Sequence, residues 1–281
     1  MQTLGERLGA GLGYRAELAR DIARHLGEID YLEVFTEELT SGSPDRLARL
    51  MELCADKQVT LHGTALSLGT DMPVDEAYLS GLDGVVRELD PPWFSDHLSF
   101  CRVPDVDVGQ LLPLWFTEES LELVLRNVKA VKQRVKRPFL LENISYYFHL
   151  PRGQMTEAEF LSRALRETDS GLLLDLNSVH LNSLNIGFDP YDFLRQIPLD
   201  RVVEIHLAGG RQVFGMVVDN HGARVHDEVW LLLEHVVRHA DVHGVVLEWD
   251  QDFPPFQVLL DHLKHARNIL RRAGAGRRRA H

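Results

Sequence analysis

The 281-residue chain is predicted to fold as a single-domain α/β protein, a (β/α)8 TIM barrel, and three observations predict it. Short apolar runs alternate eight times with helical segments, the order of a repeated βα unit. The runs are rich in Val, Leu, Ile and Phe without polar alternation, as parallel strands covered on both faces are. The length suits one closed barrel, which takes about 250 residues. An open, dinucleotide-binding sheet is disfavoured, because GAGLGY in the first run lacks the spacing of the glycine fingerprint.

In chain order the predicted strands are 8–14 (LGAGLGY), 29–37 (IDYLEVFTE), 59–69 (VTLHGTALSLG), 93–100 (WFSDHLSF), 137–145 (RPFLLENIS), 171–179 (GLLLDLNSV), 201–209 (RVVEIHLAG) and 244–250 (GVVLEWD). Between the second and third, SPDRLARLMELCADKQ opens on a Ser-Pro cap signal at Ser43. It repeats apolar residues at Leu47, Leu50, Met51 and Cys54, the period of an amphipathic helix. TEESLELVLRNVKAVKQRV starts at Thr117 with acidic residues in its first turn and basic ones in its last, complementing the helix dipole. TEAEFLSRAL starts at Thr156 with Glu159 three residues on, the pattern of a capping box. Trp230, in HDEVWLLLEHVV, is expected to pack from a helix. Long connections at 102–116 and 210–227 are expected to face substrate. The barrel is assigned to 1–270, and the Gly/Ala/Arg segment 271–281 to a solvated, disordered tail.

Composition excludes several classes. Hydrophobic residues make up 44% of the chain and charged ones 26%, enough for an ordinary globular core. No apolar run approaches the roughly 20 residues that span a bilayer, and MQTLGERLGAGLGY has no basic region followed by an apolar stretch. Two cysteines, Cys54 and Cys101, with no CxxC, rule against a disulfide framework or a thiolate metal site. A cytoplasmic location is the default expectation. Net charge is −12, and the tail holds five of the 30 basic residues and no acidic one, leaving 25 basic against 42 acidic groups elsewhere. A body that negative repels nucleic-acid phosphate, so neither nucleic acid nor membrane is an expected partner.

The predicted strands end in residues that bind metals or move protons: His62, His97, Glu142, Asp175, His206 and Glu248, with Asp219 and His221 close together in VVDNHG. A parallel barrel gathers strand C-termini at one mouth, so these residues should converge there. Four imidazoles and four carboxylates suit Fe(II), Mn(II) or Zn(II). One such ion takes about four to six ligands, so eight donors fit two or three metals. Each residue alone could be a satisfied core or loop group. As a set, four carboxylates in one mouth without a cation would repel one another and shift upward in pKa, and residues 59–69 and 244–250 supply no basic side chain. Asn143 and Asn177 could add amide contacts. His180, in LNSVHLNSLN, could be a ligand, a substrate contact or a surface residue. Glu33 and Glu37 run in phase with Tyr31 and Phe35, so both could face one side and one of them could serve the site. Cys101 is expected to be a small buried residue.

LHGTALSLG, SDHLSF, WFTEESL, LLENISYY, LLLDLNSV, EIHLAGG, VVDNHG and LEWD, in this order, resemble the multinuclear non-haem iron-dependent oxidative enzymes. The resemblance runs from GAGLGYR to EWDQDFP. It implies a xylose-isomerase-like barrel binding two or three irons, with O2 as co-substrate. It further implies oxidative modification of a side chain, most often cysteine, in a ribosomally made precursor peptide, as in methanobactin-type pathways. A separate small protein that recognises the leader peptide is the implied partner. Position by position, the implied iron ligands are His62, His97, Glu142, Asp175, His206, Asp219, His221 and Glu248. Asp219, His221, Asn177 and His180 are the expected catalytic contacts. The chain departs from the family's pattern at Ser178 and His180, where Asn and Tyr are common, at Gly210, where His is common, at Glu38, where Asn is common, and around Arg15, where a His is missing.

The alternatives from other classes are a divalent-metal sugar isomerase or phosphodiester hydrolase on the same barrel, and a metal-bearing scaffold without catalysis. An isomerase would favour a lysine near the metals, and none lies on strands five to eight. A DNA hydrolase would favour a basic rim.

Overall fold

The computed structural model describes residues 4–40, 44–55, 57–148, 150–151 and 153–280, without the side chains at 44, 46, 49, 54 and 276–280. The predicted cap Ser43, the Cys54 side chain and His281 therefore lie outside the described residues. Eight strands form one closed, wholly parallel barrel: β1 (Gly9–Gly13), β2 (Leu32–Phe35), β3 (Val59–Gly63), β4 (Phe94–His97), β5 (Phe139–Glu142), β6 (Gly171–Asp175), β7 (Val202–Leu207) and β8 (Gly244–Leu247). Each falls inside a predicted run. A helix follows every strand, the longest being Glu118–Arg134 and Phe256–Ala280.

Register explains why distant ligands converge. His97 pairs directly with Glu142, and Asp175 with His206, so each pair points to the same side of the sheet. His62 is in register with Ser95.

Local sequence sets the helix starts. The Thr117 side chain accepts from the Ser120 amide, and Thr156 Oγ1 accepts from the Glu159 amide at 3.1 Å. Asp175 caps in the same way, accepting from the Asn177 amide and the Ser178 hydroxyl, both at 2.7 Å. That cap ends the sixth strand at Asp175 and starts a helix at Leu176–Asn182, where the sequence predicts strand through Val179. The two long connections are also structured, as hairpins Phe100–Val103/Val106–Leu112 and Arg211–Val213/Met216–Val218.

Below the mouth the barrel is plugged by Tyr31, Trp93 and Glu204. Glu204 is fully buried and accepts from Tyr31 Oη at 2.7 Å and Trp93 Nε1 at 2.6 Å. Burial, with the nearby Glu33 charge, pushes its carboxyl up to about 8. A Cβ at Gly11 or Gly244 would lie 2.6 or 2.4 Å from the Tyr31 side chain. The glycines of GAGLGY and GVVLEWD thus serve close packing. Trp230 packs against the outer core from helix Asp227–His239, as expected.

The final helix carries the Arg-rich segment as far as Ala280, where the sequence suggests a solvated tail from Arg271. Ala and Arg are strong helix formers and no proline intervenes, so the helix propagates despite two glycines. Its anchorage lies earlier: Ile269 is buried, and Arg267 bridges Asp30 at 2.9 Å. Arg271 and Arg272 are exposed. Truncation from Arg271 is expected to leave metal content unchanged by elemental analysis; loss of metal would make the segment part of the working domain.

Candidate metal centre

The structure brings all eight predicted ligands together at the C-terminal mouth, around a cavity of about 520 Å³ that seven of them line, His206 lying buried among them. They fall into three contiguous groups. In the first, His62 Nε2 and His97 Nε2 lie 3.2 and 3.0 Å from Glu142 Oε2. In the second, His206 Nδ1 lies 2.9 Å from Glu142 Oε1 and 3.0 Å from Glu248 Oε2. In the third, His221 Nε2 lies 2.8 Å from Asp219 Oδ1, with Asp175 in the same group. Glu142 joins the first group to the second. Glu248, whose Oε2 is also 3.6 Å from His221 Nδ1, joins the second to the third.

Each histidine is held by its outer nitrogen. Ser95 donates its only hydroxyl hydrogen to the Leu61 carbonyl, so it accepts from His62 Nδ1 at 2.8 Å. His97 Nδ1 donates to the Gly63 carbonyl at 3.0 Å. His206 Nε2 lies 2.9 Å from Glu33, and His221 Nδ1 lies 3.0 Å from Asp250 Oδ2. The inner nitrogens of neutral His62 and His97 therefore carry lone pairs that face a carboxylate oxygen with no hydrogen between them. Glu142 Oε2, His206 Nδ1, His221 Nε2 and Asn177 Oδ1 are buried without an aligned hydrogen bond. Acceptors aimed at acceptors in a buried space are what a cation resolves, and outer-nitrogen anchoring is the usual arrangement around a metal-bound histidine. The donor set fits iron or a similar divalent ion.

The electrostatics agree. Burial holds His62 well below its ordinary value, helped by His97 and His206, and burial lowers His97 to about 4. Burial pushes Glu142 well up, and burial with the neighbouring Asp219 carboxylate raises Asp175 to about 6. Burial alone would lower His206, but Glu248, Glu33 and Glu142 outweigh it and raise it strongly. Burial alone would raise Glu248, yet His206 and His221 hold it well down. Without a metal, protons on imidazoles must balance the carboxylates.

Several residues differ from expectation. Glu33, not Glu37, reaches the cluster; Glu37 accepts from the Thr64 amide and Tyr78 Oη. Residues 59–69 and 244–250 supply no basic side chain, but Arg15, from the loop after β1, brings a cation to the mouth, 2.5 Å from Asp250 and 3.4 Å from Glu248. His180 does not enter the cavity; its ring centroid is 5.4 Å from that of His226. Asn177 is near the centre, donating from Nδ2 to Asp219 Oδ1 at 2.8 Å, and Asn143 braces the Asp175 backbone from both sides. Cys101 is buried beside the Thr64 carbonyl. His221 has φ +45°, a left-handed conformation that costs a β-carbon-bearing residue energy and is held here by its site contacts. The sequence did not single out Arg15, Ser95 or Asp250 as site residues; the only signal was the position of Asp250 at the end of EWD.

Comparison with known proteins adds three findings. The family model of the RiPP precursor modification enzymes MbnB/TglH/ChrH matches residues 9–271. A UPF0276 protein of Acaryochloris marina is 36% identical over 262 residues, 93% of this chain and 95% of that protein. Another from Chromobacterium violaceum is 37% identical over 260 residues, 92% of this chain and 94% of that protein. Among solved structures, 3-keto-D-glucoside 4-epimerase from E. coli superposes with a TM-score of 0.61 at 16% identity, covering 93% of this chain and 100% of that one. Endonuclease IV from Thermus thermophilus gives 0.59 at 17% identity, covering 95% and 99%. At such identities the likeness is one of fold, the xylose-isomerase-like barrel.

Proposed function

We propose that this protein, which belongs to the family of RiPP precursor modification enzymes MbnB/TglH/ChrH, catalyses an O2-dependent oxidation of a side chain, a cysteine, in a ribosomally made precursor peptide at a centre of two to three irons. The observation that carries the proposal is the run of four histidines anchored by their outer nitrogens, with their inner nitrogens converging on shared carboxylates. Iron held by His62, His97, Glu142, His206, Glu248, Asp175, Asp219 and His221 would supply the O2 and redox chemistry that no protein side chain offers.

The chain's own residues orient and enclose. Arg15 fixes Asp250, which holds the outer nitrogen of His221. Asn177 holds Asp219, and Ser178 holds Asp175. Phe35, Leu111 and Tyr147 supply apolar and aromatic lining to the same cavity. Asn220 lines the same cavity, and both polar atoms of its side chain are buried without a partner, ready to bind a peptide amide. On the mouth side, Trp115, Phe148, Leu184, Phe214 and Met216 expose apolar surface from successive βα connections. That rim suits a peptide and its leader-binding partner protein.

Among the described residues no helix is long and apolar enough to cross a membrane. The test is to incubate iron-loaded protein, the precursor peptide and any partner protein with and without O2, and to follow the peptide by mass spectrometry. A mass change that needs O2 and maps to a cysteine is expected. Equal product under strict anaerobiosis without another oxidant would instead favour the hydrolase or isomerase class.

A further inference from the structure

The structure assigns to His180, His226 and Glu228 a second, peripheral metal site of the zinc class, outside the barrel mouth. We propose that it clips the short helix Leu176–Asn182 to the start of helix Asp227–His239. None of the three residues lines the central cavity. Each offers one ligand atom, and these atoms all lie within 4.8 Å of one another. Zinc at about 2.0–2.2 Å from nitrogen and oxygen would set tetrahedral ligand atoms about 3.3–3.5 Å apart. Small side-chain rotations close the difference.

The two imidazoles are prepared for this. His226 Nε2 lies 3.1 Å from the Gly210 carbonyl, which can only accept, so the ring hydrogen sits on Nε2 and the lone pair on Nδ1. That is the same outer-nitrogen anchoring seen for the central histidines. His180 is 6% exposed, and among the described residues neither of its ring nitrogens has a hydrogen-bond partner. Its placement follows from the Asp175 cap: the helix that begins there turns His180 toward His226 and away from the mouth.

Two histidines and a glutamate are a three-ligand zinc set with a fourth position left for water, and Glu228 lies exposed at its edge. Zinc binds nitrogen and oxygen donors above iron in the affinity order, so a separate zinc ion beside an iron centre is chemically consistent. The clip would act on the central site indirectly. Helix Leu176–Asn182 carries Asn177, which holds Asp219.

The full chain, loaded with iron under anaerobic conditions, is titrated with Zn(II) alone, and both metals are counted by elemental analysis. The native protein is expected to take up one zinc more than His180→Ala or His226→Ala, with the same iron content in all three. Zinc should raise the melting temperature of the native protein and not that of His180→Ala. Glu228→Gln changes an exposed side chain, so its folding is not at issue. It should weaken zinc binding by at least the roughly tenfold that even an outer partner of a metal site is worth. Equal zinc uptake by the native protein and the two histidine variants would overturn the proposal. Should those variants fail to fold, unchanged zinc affinity in Glu228→Gln would overturn it alone.

Discussion

Glu142→Ala and His206→Ala, purified with iron available and without oxygen, are expected to lose most of the iron that the native chain holds. Eight donors, at about four to six ligands per ion with some shared, set the native content at roughly two to three atoms. Glu142 presents Oε2 to His62 and His97 and Oε1 to His206, so its removal takes a donor from two of the three groups. His206 sits between Glu142 and Glu248 and is fully buried, so no water reaches it easily as a substitute. Asp250→Asn, which among the eight ligands touches His221 at its outer nitrogen and is itself held by Arg15, should cost less, about 10- to 100-fold in affinity at the third group. A second measurement separates metal loss from misfolding. In the metal-free protein Glu142 is attracted by His206 as well as repelled by Glu248 and Asp175, so Glu142→Gln, which keeps the side-chain volume, is the control. It should lose iron like Glu142→Ala while its metal-free form melts closer to the native chain than metal-free Glu142→Ala does. Near-full iron in both variants would sink the assignment.

The convergence was legible in the sequence because strand ends are. Each predicted run contains its strand, and in a parallel barrel the last residues of the strands share one face. What the sequence could not supply was register and the point where a strand gives way. Ser95 faces His62 only because of β3–β4 register, which no local pattern specifies. Glu33 and Glu37 looked equivalent at period two. The strand ends at Phe35 and a helix begins at Thr36, so Glu37 leaves the phase that brings Glu33 to His206. His180 is ambiguous from the residues alone and expected as a catalytic contact; the Asp175 cap starts a helix where the sequence predicts strand through Val179, and that helix turns His180 toward His226. Arg15 and Asp250 come from βα connections, where apolar periodicity carries no information.

Fold alone did not separate the chemical classes. The epimerase and the endonuclease share the barrel at 16% and 17% identity, and one barrel hosts many reactions. The proposed oxidation rests instead on the local sets. No lysine lines the central cavity among the described residues, and the one guanidinium near the ligands, Arg15, is engaged with Asp250 and Glu248. That leaves no free basic group for a catalytic lysine role or for a phosphodiester backbone, and the acidic body of the chain opposes the latter as well.

Asp219→Ala and His221→Ala are expected to cut turnover by about a hundredfold or more while leaving the fold nearly intact. Both residues lie after the hairpin Met216–Val218, outside the barrel strands, and both are partly exposed, with side chains 14% and 17% accessible. Their loss opens no core cavity. The left-handed φ at His221 is as accessible to Ala as to His within about 1 kcal/mol, so backbone strain changes little. The chemical loss is larger. The two side chains form the third group with Asp175, and Asn177 would then have no carboxylate to hold. Displacing reacting groups by about 1 Å costs on the order of a hundredfold in rate, and deleting a donor should cost at least that. The measurement is single-turnover modification of the precursor peptide under O2, read by mass spectrometry, beside melting curves and iron counts for the same preparations. The expected pattern is near-native melting, iron reduced at the third group only, with the groups around Glu142 still loaded, and product formation down by about a hundredfold or more. Near-native turnover in both variants would remove Asp219 and His221 from the working centre and confine the chemistry to the groups built on Glu142.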